Sequence, residues 1–412
     1  MINTKKPNCR GCAQDLTDVF VDLGMSPLCQ KHVLASELNH VEAFYPLKAW
    51  VCTNCWLVQL EEYVDPDELF THYEYFSSYS TSWVEHARNY VEMISAKLRL
   101  GSDSQVVEIA SNDGYLLQHF LAEGIPCTGI EPAANVAAVA IEKGIDCVVE
   151  FFGEETAAKV VETHGKASLI LGNNVLAHVP DLHDFVSGLK VLLDEDGVVT
   201  MEFPHLVKLM EENQFDTIYH EHFSYFTFFV VEKVFAQHGL RMFNVEEIPT
   251  HGGSLRIYAC HQGADFPAAP NVEGLRSREI DAGYANMDIY STFAAKVMAT
   301  KRNLLEFLID AKCDGKTVVG YGAPGKGNTL LNYCGIRTDF LDYTVDRSPI
   351  KQGTFTPGTH IPILDPSEIQ SSKPDLVLIL PWNLHKEISE SASFIREWGG
   401  KFVVPIPEVR VF

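Results

Sequence analysis

The stretch YHEHFSYFT, residues 219 to 227, contains two histidines, a glutamate and two tyrosines beside a run of apolar residues. Histidine has an ordinary pKa close to neutral, so it can accept or release a proton at physiological pH. A tyrosine hydroxyl or a second imidazole can stabilise negative charge that develops on an oxygen. The stretch therefore predicts proton-transfer chemistry. For His220, the alternative of a buried and hydrogen-bonded core histidine stays open.

Two C-x-x-C pairs near the start of the chain predict a metal site. Cys9 and Cys12 form one pair, and Cys52 and Cys55 form the other. Four thiolates can complete a tetrahedral zinc shell and leave no open position for catalysis. We therefore predict a structural Zn²⁺ in a small amino-terminal module; unrelated buried cysteines are the alternative.

Polar residues also follow two predicted strands in the middle of the chain. VVEIASNDGYLL leads from a strand through Ala110, Asn112 and Gly114 into a helix, and TGIEP ends the next strand on Glu131 and Pro132. Glycine lets the backbone approach a ligand, and an acid at the tip of the second strand can accept hydrogen bonds from ribose hydroxyls. The pattern predicts a site for an adenosyl ligand, with an ordinary βαβ unit as the alternative.

The segment LGNNVLAHV indicates that a later strand of the same sheet also ends on polar residues. Asn173, Asn174 and His178 stand at its predicted carboxyl end. Ligands of doubly wound sheets bind at that edge. We therefore expect these side chains to lie beside the adenosyl site.

A glycine-rich loop in the carboxyl-terminal part gives a competing prediction. GYGAPGKGNT matches G-x-G-x-x-G through Gly320, Gly322 and Gly325, and Asp346 ends the following strand. Taken alone, this pattern is typical of a dinucleotide-dependent oxidoreductase. The same residues also read G-x-x-x-x-G-K, but Gly327 stands where a P-loop has Ser or Thr, which argues against an NTPase.

The composition limits the classes of partner. The chain of 412 residues has 32 basic and 55 acidic side chains, a formal net charge of −23. A field of this sign disfavours nucleic acid and anionic membrane surfaces. Neither a secretory signal core nor a stretch long enough to span a bilayer is evident, so we expect a soluble cytoplasmic protein. The oligomeric state stays open, with a monomer as the simplest expectation.

The periodicity predicts an α/β fold in three parts. Predicted strands and helices alternate from about residue 105, as in a parallel sheet covered by helices on both faces. We predict a zinc-stapled module at 1–68, a Rossmann-like domain with the adenosyl site at 69–270 and a second Rossmann-like α/β domain at 271–412.

Taken in order, these motifs resemble the S-adenosylmethionine-dependent C-methyltransferases of deoxysugar biosynthesis, which act on nucleotide-linked 4-keto sugars. The resemblance covers essentially the whole chain, including YEYFSSYSTSW, EIASNDGYLL, NNVLAHVPD, YHEHFSYFT and HGGSLR. The chain departs from the generic methyltransferase loop at Ala110, where a glycine is usual. The resemblance implies that His222 is the general base, that Tyr219 and Glu221 assist at the sugar and that His178 lies beside them.

The same resemblance implies that the carboxyl-terminal domain helps to hold the sugar nucleotide. Lys326, Arg347 and Asn383 are then candidate contacts of the diphosphate. Tyr75, Ser78 and Tyr79 are candidate contacts of the base or sugar, with packing aromatics as the alternative. Two other functions stay open: an NAD-dependent oxidoreductase that uses the glycine-rich loop on a nucleotide sugar, and a non-catalytic nucleotide-binding scaffold. The residues do not fix the nucleotide base, the ring substituents or the stereochemistry.

Overall fold

The computed structural model describes residues 7–71 and 76–412. The chain divides into two compact units, each made of segments that are distant in sequence. Unit 1 contains the residues up to Leu16, Cys52–Leu206 and Phe223–Ala285, and unit 2 contains Thr17–Val51, Val207–His222 and Asn286–Phe412. Each unit combines parts of all three predicted ranges, and the boundaries at 68/69 and 270/271 stay a prediction.

The regular elements alternate between strand and helix over most of the chain. The strands are β1 (Asp18–Ser26), β2 (Tyr45–Val51), β3 (Val58–Leu60), β4 (Val106–Ile109), β5 (Cys127–Ile130), β6 (Asp146–Val148), β7 (Ala167–Asn173), β8 (Leu193–Pro204), β9 (Ser224–Tyr225), β10 (Leu240–Ile248), β11 (Ser254–His261), β12 (Val318–Tyr321), β13 (Thr344–Val345), β14 (Ile363–Leu364), β15 (Leu376–Ile379), β16 (Lys401–Val404) and β17 (Arg410–Val411). The helices are α1 (Pro66–Phe70), α2 (Thr81–Leu98), α3 (Leu117–Ala122), α4 (Ala134–Glu142), α5 (Glu154–His164), α6 (Leu182–Leu192), α7 (Leu206–Glu211), α8 (Phe228–Gln237), α9 (Pro270–Asp281), α10 (Met287–Ser291), α11 (Phe293–Cys313), α12 (Gly325–Cys334), α13 (Glu368–Ser372) and α14 (His385–Ser391).

Unit 1 is built on a seven-stranded sheet with the order β10-β11-β8-β7-β4-β5-β6. Strands β8, β7, β4, β5 and β6 run parallel, whereas β11 pairs antiparallel with both β8 and β10. All four residues of β4 are buried, as expected for a central parallel strand with helices on both faces. One of them is Glu108, a carboxyl in an otherwise apolar strand, and its burial raises its pKa well above the ordinary value.

Unit 1 also contains a short antiparallel pair formed by β3 and β9. Val58 pairs with Tyr225 and Gln59 pairs with Ser224. This pair joins the segment that follows the second cysteine pair to the segment that follows His222.

Unit 2 is built on a six-stranded sheet with the order β14-β13-β12-β15-β16-β17. Strand β12 runs parallel to both β13 and β15, so the chain order reverses beside it. The carboxyl end of such a strand is the usual position of a ligand crevice in open α/β sheets. Strands β1 and β2 form an antiparallel hairpin in the same unit. The α/β prediction with two Rossmann-like sheets is confirmed.

None of the helices among residues 7–71 and 76–412 is both long and apolar enough to cross a bilayer.

Candidate functional site

The four predicted cysteine ligands are brought together in unit 1. Their sulfur atoms all lie within 4.8 Å of one another, and the Sγ–Sγ distance is 3.5 Å for both Cys9–Cys55 and Cys12–Cys52. The side-chain amide of Gln59 donates to Cys9 Sγ at 3.0 Å. Hydrogen bonds from Cys55 and Gln59 lower the pKa of Cys9 to about 5, in spite of its burial.

This donor set fits zinc. Four thiolates in a closed cluster form the usual shell of a structural Zn²⁺ site, and N–H donors aimed at a ligand sulfur favour its thiolate form. Sequence analysis missed Gln59, because a glutamine in a β-strand carries no metal-binding signal of its own. The cluster would hold the metal in a structural role.

The loop after β4 has an unusual backbone. Ala110 (φ 54°), Asn112 (φ 52°) and Gly114 (φ 73°) all adopt the left-handed conformation. For Ala110 and Asn112 this is uncommon, and such residues are concentrated at functional sites. A side chain at Gly114 would lie 2.3 Å from Ile145 Cδ1 and 3.1 Å from Ala140 Cβ, and together with the positive φ this favours glycine there.

Glu131 fixes this loop from the end of β5. Its carboxylate accepts hydrogen bonds from the backbone N–H groups of Asn112 and Ala133, both at 2.9 Å. Burial raises the pKa of Glu131, and these two hydrogen bonds oppose the increase. Pro132 lies between Glu131 and Ala133, so Glu131 brings Asn112 and the Pro132–Ala133 segment together at the end of β5.

The segment after the undescribed residues 72–75 packs on the same loop. Asn112 Oδ1 accepts from the backbone N–H of Ser77 at 2.9 Å, and Lys143 Nζ donates to Ser78 Oγ at 3.0 Å. Tyr79 is 63% exposed, and Tyr75 lies outside the described residues. Ser78 is therefore held beside the loop, whereas Tyr79 points towards solvent.

The end of β7 meets a polar network that sequence analysis did not assign. Asn173 Nδ2 approaches Tyr115 Oη at 3.5 Å, and Asn174 Nδ2 donates to His251 Nε2 at 2.8 Å. His178 lies in the 3₁₀ turn Leu176–His178.

The centre of this network is Glu202 in β8, which pairs in register with Asn173. Glu202 accepts from His86 Nε2 at 2.9 Å, Arg256 Nη2 at 3.0 Å and Thr250 Oγ1 at 2.8 Å. Burial raises the pKa of Glu202, but the hydrogen bonds and charges of its partners outweigh that effect and hold it below the ordinary value. The HGGSLR motif contains Arg256 and was the sequence feature that could have indicated this network.

The YHEH residues belong to unit 2, where a short turn orients His222. Its Nδ1 lies 2.8 Å from the carbonyl oxygen of Thr217. A carbonyl can only accept, so Nδ1 carries the proton and the lone pair of the neutral ring is on Nε2. The Tyr219 ring lies against the imidazole with a centroid distance of 4.0 Å. This arrangement suits a general base.

The two other members of the motif contact different parts of unit 2. His220 Nε2 donates to the Pro46 carbonyl at 3.2 Å, and burial lowers the pKa of His220, as expected for a core histidine. Glu221 is buried, and the Cys29 thiol lies 3.9 Å from its Oε1.

Unit 2 packs the glycines of the GYGAPG loop against its own residues. A side chain at Gly320 would lie 2.6 Å from Thr344 Oγ1, and one at Gly322 would lie 2.5 Å from Pro381 Cδ. At Gly325 it would lie 2.9 Å from Cys29 Sγ.

The predicted diphosphate contacts make intramolecular contacts in the same unit. Lys326 Nζ donates to Asn383 Oδ1 at 3.0 Å and lies 4.7 Å from the Trp382 ring centroid. Burial lowers the pKa of Lys326, and the charge of Asp216 opposes the decrease. Arg347 is exposed and pairs with Glu387 at 3.0 Å. Two of the three predicted contacts, Lys326 and Asn383, are therefore hydrogen-bonded to each other, whereas Arg347 pairs with Glu387.

Comparisons with known proteins define the class. Family models match in three consecutive regions: "Putative zinc binding domain" at 9–70, "Methyltransferase domain" at 83–245 and "C-methyltransferase C-terminal domain" at 249–407. The chain is therefore a methyltransferase with a zinc-binding amino-terminal region.

A full-length relative gives the family. C-methyltransferase NovU of Streptomyces niveus is 37% identical over 403 residues, which are 98% of this chain and 96% of NovU. The chain belongs to the S-adenosylmethionine-dependent C-methyltransferase family, as the motifs predicted, and its cofactors are S-adenosylmethionine and structural zinc.

Solved methyltransferase structures match only part of the chain. An S-adenosylmethionine-dependent methyltransferase of Clostridium acetobutylicum is 11% identical, with a TM-score of 0.35 over 44% of this chain and 92% of that chain. One from Anabaena variabilis is 15% identical, with a TM-score of 0.36 over 43% of this chain and 84% of that chain.

Proposed function

We propose that this C-methyltransferase acts on a nucleotide-linked 4-keto-deoxysugar and methylates carbon 3, next to the ketone. The order of the sequence motifs supports the substrate class, and the similarity to NovU supports carbon as the acceptor. A carbon next to a ketone loses a proton when a base removes it and the carbonyl oxygen takes up the electron pair as an enolate. The reaction therefore needs a positioned base and groups that stabilise the enolate oxygen.

The observation that carries the proposal is the orientation of His222. Because Nδ1 donates to the Thr217 carbonyl, the imidazole presents the lone pair of Nε2, and Nε2 takes the proton from carbon 3. A fixed backbone acceptor at Nδ1 also stabilises the imidazolium that forms when Nε2 is protonated.

Tyr219 and Glu221 complete the proposed acid–base group of unit 2, and the family resemblance adds His178 of unit 1. Tyr219, packed on the His222 ring, restricts the orientation of the imidazole and assists at the sugar. Glu221 assists there as well, either by orienting an imidazole or by binding a sugar hydroxyl. His178 is the proposed second imidazole.

The cofactor would be held in unit 1 by the residues around the β4 loop. Bound S-adenosylmethionine supplies the electrophilic methyl group that replaces the abstracted proton. Glu131 would accept hydrogen bonds from the ribose hydroxyls, and its two backbone hydrogen bonds already orient the carboxylate. The other proposed contacts are Ala110, Asn112, Gly114, Pro132, Asn173 and Asn174.

The nucleotide end of the substrate would use unit 2. Lys326 and Asn383 lie together beside β12, at the edge of the sheet where the chain order reverses, and Arg347 would add a second positive charge. Ser78, Tyr79 and Tyr75 are proposed contacts of the base or sugar. We also propose a cytoplasmic location, because none of the ten cysteines, all within the described residues, forms a disulfide and a reducing compartment preserves such thiols and thiolate ligands.

The test separates proton removal from methyl transfer. Wild-type protein is incubated in D₂O with a panel of nucleotide-linked 4-keto-deoxysugars, without methyl donor, and deuterium at carbon 3 is measured by NMR. Methyl transfer is measured in parallel with labelled S-adenosylmethionine. Replacing His222 by Asn should reduce both rates by about 10³-fold, the usual range for loss of a general base, and leave cofactor affinity unchanged.

His220→Asn is the matched control, because that histidine lies two residues away and donates to a backbone carbonyl. It should retain both activities within a few fold. Deuterium incorporation at the wild-type rate in His222→Asn would reject the assignment of the base, and no exchange with any sugar of the panel in wild-type protein would reject the substrate class.

A further inference from the structure

Arg10 stands between the first two zinc ligands, and its guanidinium binds three backbone carbonyls. Nη2 donates to Leu60 O at 2.9 Å, Nε donates to Pro180 O at 3.2 Å, and Nη1 donates to Phe223 O. The guanidinium also lies over the Phe223 ring, 5.4 Å from its centroid. All four residues belong to unit 1.

Two of these carbonyls adjoin the proposed catalytic histidines in sequence. Phe223 directly follows His222, and Pro180 is two residues after His178. Phe223 O also accepts from the backbone N–H of Leu60 at 3.0 Å, which continues the β3–β9 pairing. The backbone beside each histidine is therefore tied to the same side chain.

The cysteine knuckle fixes Arg10 itself. Its backbone N–H donates to Gln59 Oε1 at 2.9 Å, and the amide of the same Gln59 donates to Cys9 Sγ at 3.0 Å. Four thiolates around Zn²⁺ carry a formal charge of −2, and the carboxylate of Glu62 adds a second negative charge that acts on this guanidinium.

The residue type matters at this position. Arginine offers five N–H donors in one rigid plane and can reach acceptors in several directions, whereas lysine offers a single ammonium on a flexible stem. Arg10 donates to the three carbonyls from three different nitrogen atoms, Nε, Nη1 and Nη2, whereas all three donors of a lysine are on the single Nζ.

We propose that Arg10 is a positioning residue that transmits the zinc-fixed shape of the knuckle to the segments carrying His178 and His222. This role rests on the proposed function, because it assumes that those histidines handle the proton. A small displacement of a base lowers the rate steeply, by about 100-fold for 1 Å. The zinc module would thus contribute to catalysis through one arginine, without a metal ligand touching substrate.

The experiment compares Arg10→Met and Arg10→Lys with Arg396→Met, a change at an exposed arginine of unit 2. Metal analysis and titration with S-adenosylmethionine establish that each variant retains zinc and cofactor binding. Backbone hydrogen–deuterium exchange of peptides covering 176–184 and 219–228 then reports positioning without any turnover. In Arg10→Met, both peptides should exchange about 10-fold faster, and in Arg396→Met neither should change.

Kinetics provide the second readout. Arg10→Met should lower kcat and carbon-3 deuteration about 100-fold with less than a threefold change in the KM for S-adenosylmethionine, and Arg10→Lys should recover part of this loss. Unchanged peptide exchange in Arg10→Met would overturn the inference, and so would loss of zinc together with activity in both variants. If wild-type protein deuterates no sugar, the proposed function fails, and the peptide exchange still decides whether Arg10 holds the two segments.

Discussion

The two sheets carry loops that look alike in sequence and differ in what they pack against. Both loops follow a central parallel strand, β4 in unit 1 and β12 in unit 2. Both are held by an acid after the neighbouring strand: Glu131 accepts from Asn112 N and Ala133 N, and Asp346 accepts from Ala323 N and Ser348 N, both at 2.8 Å. An acid in this position therefore fixes its own loop and does not by itself indicate a ribose site.

The difference lies at the helix that follows each loop. In unit 2, helix α12 begins at Gly325, and a side chain there would lie 2.9 Å from Cys29 Sγ and 3.2 Å from Gln30 Nε2. Asn328 of the same helix donates to the Cys29 carbonyl at 2.7 Å. A dinucleotide fold places its pyrophosphate at the N-terminus of this helix. In this protein Cys29 and Gln30 of the same unit lie against that position.

Packing within unit 2 thus explains why this loop contains glycines. The glycines therefore give no support to the oxidoreductase alternative. In unit 1 the loop instead contains two non-glycine residues in the left-handed conformation, Ala110 and Asn112. Strain of this kind is retained where the surroundings impose a particular backbone shape. Both loops pack closely at a glycine, Gly114 and Gly322, so they differ in the left-handed non-glycine residues of unit 1 and in the residues that lie against the start of α12 in unit 2.

The largest effect should come from adding one methyl group at the left-handed glycine of either loop. A side chain would lie 2.3 Å from Ile145 Cδ1 at Gly114 (φ +73°) and 2.5 Å from Pro381 Cδ at Gly322 (φ +87°). Left-handed strain and overpacking together should lower the free energy of unfolding by about 3 kcal/mol in each alanine variant. Urea unfolding, followed by circular dichroism, measures this.

Glycines with open space around them provide the controls. A Cβ at Gly124 (φ +71°) in unit 1 or at Gly335 (φ +74°) in unit 2 would meet nothing within 4 Å among residues 7–71 and 76–412, apart from its own chain neighbours. Their alanine variants carry the strain without the overlap and should lose only about 1 kcal/mol. Equal losses at all four positions would show that packing is not what requires Gly114 and Gly322.

A second prediction contrasts the two acids in ligand binding. Glu131→Gln should weaken S-adenosylmethionine binding about 100-fold, or about 2.7 kcal/mol, because hydrogen bonds to a charged acceptor are lost. Asp346→Asn should change that affinity less than threefold. Calorimetric titration with S-adenosylmethionine and, separately, with NAD measures both; tight binding of NAD that Asp346→Asn abolishes would restore the oxidoreductase alternative.

The zinc ligands and the two parallel sheets could be predicted because their signals lie in residues that are close together in sequence. The four zinc ligands come from two short C-x-x-C motifs, each of which forms its own turn, and the structure brings their sulfurs together. The alternation of apolar strands and helices predicted both parallel sheets for the same reason. Such signals depend on near neighbours in the chain.

The polar network around Glu202 could not be predicted in this way. His86 and Arg256 are 116 and 54 residues away from Glu202 in sequence, and each alone is typical of an exposed side chain. Only the packing of α2, β8 and β11 makes them partners. The contacts of Arg10 could not be predicted either, because its acceptors are backbone carbonyls, which every residue type has.

The last prediction compares the buried carboxyl groups of the two units. Burial raises the pKa of Glu108 in unit 1 well above its ordinary value. Burial also raises the pKa of Asp216 in unit 2 to about 6, although Lys326 and the Trp382 N–H oppose the increase. Glu108 should therefore keep its proton to a much higher pH in the folded protein than in the unfolded chain, whereas Asp216 should lose its proton between mildly acidic and neutral pH.

The direction of the pH effect follows from which state binds more protons. Between about pH 4 and 6 the folded protein holds a proton on Asp216 that the unfolded chain releases, so the contribution of this group to stability is greatest at low pH and falls as pH rises through 6. Asp216→Asn removes the ionisation and can still accept from the Trp382 indole, which donates to Asp216 Oδ2 at 2.7 Å. At pH 7 the variant should be more stable than wild type by about 2 kcal/mol, with the difference vanishing near pH 4. Glu108→Gln should also become more stable relative to wild type as pH rises above about 4.5, because the unfolded chain releases a proton that folded Glu108 keeps. Its gain should still be growing at pH 7, whereas the gain of Asp216→Asn levels off above about pH 6, where folded Asp216 has also lost its proton. Urea midpoints from pH 4 to 7.5 measure both; a difference between Asp216→Asn and wild type that does not change with pH would show that Asp216 does not titrate in this window.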